Sequence, residues 1–121
     1  MSDTFGLKIG LEGEKEFKKS ISEINQTFKV LGSEMKLVTA EFAAGEESED
    51  SLTKKNDVLS RSVSTLQEKL ALQSKALQEC ANMYGEADAR TMKWQQAVNE
   101  TNAALATTEN KIKANEDAMS E

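Results

Sequence analysis

From Phe17 to Met119 the apolar residues keep one seven-residue phase, and no proline interrupts it. Spacings alternate four and three through Phe17, Ile21, Ile24, Phe28, Leu31, Met35, Val38 and Phe42. With multiples of seven labelled a and residues three further on labelled d, the same frame collects a second group: Leu52, Leu59, Val63, Leu66, Leu70, Leu77, Cys80, Tyr84, Trp94, Val98, Leu105, Ile112 and Met119. Roughly 22 of about 30 such positions are apolar, about twice what a 38% hydrophobic chain would place there by chance. A straight helix drifts about 20° per heptad against this repeat, so a phase held so long predicts helices wound closely on other helices. The expected fold class is mainly α, with long heptad-patterned helices in a coiled coil or a helical hairpin or bundle, preceded by one short N-terminal β-strand.

The strand is read from Phe5, Leu7, Ile9 and Leu11, which alternate with Gly6, Lys8, Gly10 and Glu12. A lone strand cannot satisfy its own backbone, so these four residues are candidates for strand pairing with an edge from another molecule. Two places interrupt the seam without shifting its phase. Around Gly45 and Glu49, Gly45 suits a C-cap and Ser48 an N-cap, with acids in the first turn that follows. At residues 83–88, Gly85 suits a helix end and Asp88 the next N-cap. The expected organisation is an arm at 1–13, helices at 14–44, 51–84 and 88–120, an acidic hinge at 45–50, and a turn or continued helix at 85–88. A hairpin at Gly85 would set Tyr84 against Trp94, Cys80 against Val98, Leu66 against Ile112 and Leu59 against Met119. A continuous rod needs the phase conserved across Gly85 and a hairpin does not, so the unbroken phase favours the rod.

Charge narrows the function. The chain has 121 residues, a net charge of −6 and no histidine. It therefore lacks the commonest metal ligand, the usual base of a nucleophilic triad, and the basic footprint of a nucleic-acid binder. Residues 1–40 balance and residues 51–121 nearly do. Five acids and no base crowd into residues 41–50. That cluster lacks the alternating oxygen ligands and central glycine of a calcium loop, and reads as a solvated link. Cys80, the one cysteine, falls at a d position and reads as a buried thiol rather than a nucleophile. Two glycosylation sequons, at Asn25 and Asn99, stand without a secretory signal. No catalytic, cofactor or metal site is expected, and no membrane contact. The seam residues from Phe17 to Met119 are the candidate helix and oligomer contacts. Polar residues Asn56, Gln73, Thr91, Thr101, Thr108 and Asn115 punctuate them and should loosen the C-terminal half.

The run FGLKIGLEGEKEF from Phe5 to Phe17, continued by INQTFKVLGSEMKLVTAEF from Ile24 to Phe42, resembles the opening of tail tape measure proteins of long-tailed phages and prophages of Gram-positive bacteria. The later YGEADARTMKWQ from Tyr84 to Gln95 is similar to the region that follows in those proteins. The resemblance implies a virion structural protein. It self-associates, meets tail-tube or tail-assembly proteins, is made in the bacterial cytoplasm, and lies in the tail lumen where it helps set tail length. Such proteins are normally far longer than a 121-residue helix of about 180 Å can serve, so the resemblance implies an N-terminal segment or truncated remnant. The competing reading is a coiled-coil adaptor or chaperone-like module that grips a partner helix.

Overall fold

A computed structural model of the chain describes residues 2–42 and 48–120, with side chains from Lys15 onward. It contains three helices, α1 (Ser2–Glu41), α2 (Glu49–Tyr84) and α3 (Ala89–Met119). Residues 5–11, where alternation predicts a strand, lie within α1 as helix. The physical reason is that a helix pairs its backbone groups within the segment, whereas a strand in an isolated chain leaves them without a ladder. Helix α1 therefore starts at Ser2 rather than near residue 14.

The helix ends follow local chemistry. Ser48 has extended backbone and its hydroxyl accepts a hydrogen bond from Ser51 N at 3.2 Å, capping α2, while Glu49 and Asp50 face the positive end of its dipole. Gly45, the expected C-cap, lies outside the described residues. Helix α2 stops at Gly85, whose φ of 92° a side-chain-bearing residue rarely adopts and whose N–H donates to Ala81 O. Asp88 then caps α3 by accepting from Arg90 N at 2.8 Å.

The chain therefore turns at residues 85–88, and the continuous rod is not formed. Helix α2 pairs with both neighbours, whereas no Cα of α1 approaches α3 within 8 Å among the described residues. This central position explains which residues are buried. The buried residues of α3, namely Thr91, Trp94, Val98, Thr101 and Leu105, are all a or d positions. Those of α2 add Ser51, Val58 and Ala76 beside the seam, because a helix with a neighbour on each side needs a second inward-facing stripe. The three helices meet at one end, where Phe17, Ala76, Cys80 and Trp94 form a core flanked by Ile21, Leu72, Leu77, Tyr84 and Ala97. Burying each large side chain there contributes about 1.5–3 kcal/mol.

Candidate interaction surfaces

Every one of the 21 candidate seam residues is buried or half-buried within the single chain. Phe17, Ile24, Leu31, Leu52, Leu66, Cys80, Trp94, Val98 and Leu105 are buried; the other twelve are half-buried. The heptad surface thus takes part in packing within the chain, and twelve of its residues keep some exposure. Four of the six polar interruptions of the seam meet in pairs. Thr101 donates its hydroxyl to the Gln73 side-chain oxygen where both residues are buried. Asn115 donates to Asn56 Oδ1 at 2.8 Å, and Asn56 in turn donates to the Ile112 carbonyl at 3.4 Å.

These pairs set the hairpin register, and it differs from the expected one. Gln73 lies opposite Thr101 rather than Leu105, and Thr53 reaches Met119 at 3.5 Å where Leu59 was expected to face it. The cause is the length of the link. A four-residue connection between Tyr84 and Ala89 centres the reversal between Glu86 and Ala87, two to three residues earlier than the expected layers required. The observed register also gives the buried Gln73 side chain and the half-buried Asn56 side chain a partner, which the expected one denied them. Thr108 instead returns its hydroxyl to Ala104 O, and Thr91 Oγ1 and Tyr84 Oη are buried without a hydrogen-bond partner among the described residues.

The α1 and α2 pairing carries its polar contacts on the rim. Lys54, Arg61 and Lys69 of α2 reach across to Glu41 (3.2 Å), Glu34 (2.9 and 3.0 Å) and Asn25 (3.0 Å). Lys54 and Lys69 also lie 5.5 and 5.7 Å from the ring centroids of Phe42 and Phe28, within cation–π range. Arg61 is further braced by Asp57 one turn earlier. Hydrogen bonding and charge from Glu41 push the Lys54 pKa up.

At the 85–88 turn, Arg90 stacks 3.5 Å from the Tyr84 ring centroid and forks onto both oxygens of Asp88. Hydrogen bonds from the Arg90 side chain and backbone lower the Asp88 pKa to about 2. Beside this turn a cleft of about 250 Å³ opens, lined by Lys18 of α1 and by Arg90, Lys93, Trp94 and Ala97 of α3. A second cleft of about 390 Å³ lies over the α1 and α2 pairing, with Val30, Leu31, Glu34 and Arg61 in its wall. Val30 and Leu37, both at c positions of α1, are exposed.

Sequence reasoning assigned neither cleft. The basic one had a faint signal, three lysines against one glutamate at residues 15–19, but its α3 wall comes into place only when the chain turns at Gly85. The second stripe of α2 had a signal in Val58, Leu72 and Ala76, apolar residues off the a and d frame. Cys80 is buried in the three-helix core. Among the described residues no group of three or more His, Cys, Asp or Glu could hold a metal ion, and no helix is long and apolar enough to cross a membrane. Compared with family models, with curated proteins and with solved structures, the chain matches none of them.

Proposed function

We propose that this chain is a structural segment of a phage tail, corresponding to the N-terminal part of a tape measure protein. The observation that carries the reading is the resemblance of Phe5–Phe42 and Tyr84–Gln95 to such proteins, borne on a chain whose seam packs helix on helix. Its role is mechanical rather than enzymatic. The described side chains form ion-pair rims, apolar layers and paired amides, which suit assembly better than turnover. In this reading the chain associates with its own kind and with tail-tube or assembly proteins in the bacterial cytoplasm. It comes to lie in the tail lumen. Residues 5–11 would exchange helix for a paired strand only where a partner offers a sheet edge.

The test is assembly with tube protein. Tail-tube subunits from the same genome are polymerised with and without the chain, and the tubes are sedimented and imaged. The expected result is that the chain pellets with the tubes and fills their lumen. A chain left entirely in the supernatant sinks the proposal.

A second reading, an adaptor that binds a partner helix, draws support from exposed Val30 in the wall of the α1 and α2 cleft and exposed Leu37 two turns further along α1. A compact monomer by light scattering, binding a helical partner through Val30 and Leu37 and ignoring tubes, would favour it.

A further inference from the structure

We propose that this chain exchanges α3 with a second copy, the 85–88 turn straightening so that α2 and α3 run as one helix and each copy's α3 packs on the other's α2. The heptad frame runs straight through the turn, since Tyr84, Ala87, Thr91 and Trp94 keep the a and d phase of α2. A hairpin does not need that agreement. After a reversal α3 can present any frame of its own, so the match would arise by chance about one time in seven. A continuous helix requires it. In such a helix Gly85 falls at an outward b position, and Ala87, exposed in the hairpin, falls at an inward d position.

A buried hydroxyl points the same way. Thr27, Thr39, Thr65 and Thr108 each donate to the carbonyl four residues earlier in their own helix. Thr91 is 3% exposed, and its Oγ1 has no hydrogen-bond partner among the described residues. The residue four positions before it is Ala87, which lies in the turn between α2 and α3. Straightening 85–88 brings the Ala87 carbonyl into helical position and gives Thr91 its acceptor. Exchange also needs no surface beyond those already packed. The pairs of Gln73 with Thr101 and of Asn56 with Asn115 re-form between copies, about a two-fold axis that passes between Glu86 and Ala87. Helix α1 keeps its place, because its bridges from Glu41, Glu34 and Asn25 go to α2 and no Cα of α1 comes within 8 Å of α3 among the described residues. Against exchange stand the Asp88 cap and its fork with Arg90, which exist only in the turn. The proposal does not rest on the tail assignment.

Two labels on the whole chain test it. Ser60 and Glu109 are exposed and line one cleft between α2 and α3, so labels there lie close in the hairpin, whereas on one continuous helix they lie about 74 Å apart. Chain carrying Ser60→Cys with Glu109→Cys and Cys80→Ala is labelled at both cysteines, mixed with excess unlabelled chain, warmed so that α3 can detach, and separated by size. The dimer fraction should grow with concentration, with the short distance in the monomer and the long one in the dimer. Gly85→Ala disfavours the positive φ of the turn and favours helix, and should strengthen dimerisation at least about tenfold. Thr91→Val removes the hydroxyl that only the open form satisfies, and should weaken it. If circular dichroism shows that Gly85→Ala does not fold, Asp88→Ala, which strips the cap from the turn, should strengthen dimerisation in its place. A wild type that stays monomeric at its highest soluble concentration, a dimer in which the two labels of one chain stay close, or a folded Gly85→Ala that dimerises no better than wild type would each overturn the proposal.

Discussion

The two helix pairings of this chain are built on opposite plans. Where α1 meets α2, the interior seam is apolar from Phe17 to Phe42 and the polar contacts lie outside it, in exposed bridges such as Arg61 with Glu34. Where α2 meets α3, polar groups sit inside the seam and bond to each other, as Gln73 does with Thr101. Apolar layers supply stability but tolerate sliding by a heptad, since one leucine layer resembles the next. A buried amide tolerates no such slip, because leaving it unpaired costs about 1–3 kcal/mol. The first pairing is apolar inside and loosely indexed; the second gives up apolar seam positions for a fixed register.

The sharpest way to break this contrast is at the layer where both pairings converge. Trp94→Ala removes the largest side chain of the three-helix core and should lower stability by about 3–5 kcal/mol in thermal or urea unfolding, loosening α1 and α3 together. Next is the buried amide. Thr101→Val keeps the shape but strands the Gln73 side chain, at an expected cost of about 1–3 kcal/mol. The double change with Gln73→Leu should recover most of that loss while freeing the register, visible as more than one distance between spin labels at the exposed positions 60 and 109. A double variant with one sharp distance would show that the pair does not index the hairpin.

Smaller effects belong to the rim and the turn. Arg61→Ala should cost less than either core change, since its bridge to Glu34 is about half-exposed, and the loss should vanish in high salt. At the turn, the Asp88 carboxyl has a folded pKa of about 2 against an ordinary 3.8. Its charged form is the one the fold favours, so its contribution is present above about pH 4 and is lost as pH falls toward 2. Asp88→Asn can still cap α3 but does not titrate. Melting curves of wild type and variant should therefore converge between pH 4 and pH 2, and curves that stay parallel would remove the Arg90 fork from the account.

The helical class, the seam, and the caps at Ser48, Gly85 and Asp88 were legible because each rests on local chemistry: a repeat, a hydroxyl, a missing Cβ. What was not legible depended on counting neighbours. The unbroken phase across Gly85 argued for a rod, yet Tyr84, Ala87, Thr91 and Trp94 keep that phase while the backbone reverses, because Gly85 at φ 92° ends α2 and Asp88 restarts the helix. The four polar seam residues now seen in pairs looked like defects, since their partners lie from 28 to 59 residues away and a sequence does not display that pairing. Alternation at Phe5 to Leu11 is a related case, as a period of two specifies a strand only when an edge is there to receive it.

The up-down-up path has a mechanical consequence. Phe17 of α1 stands at the end of the molecule that holds the 85–88 turn, and Met119 closes α3 at the other. Tension applied between those two ends runs parallel to the helices. It loads every apolar layer and both amide pairs at once, in shear, instead of peeling them one at a time. A chain folded this way would yield late and all together when stretched along its axis, and would come apart gradually only if a helix were pulled away sideways.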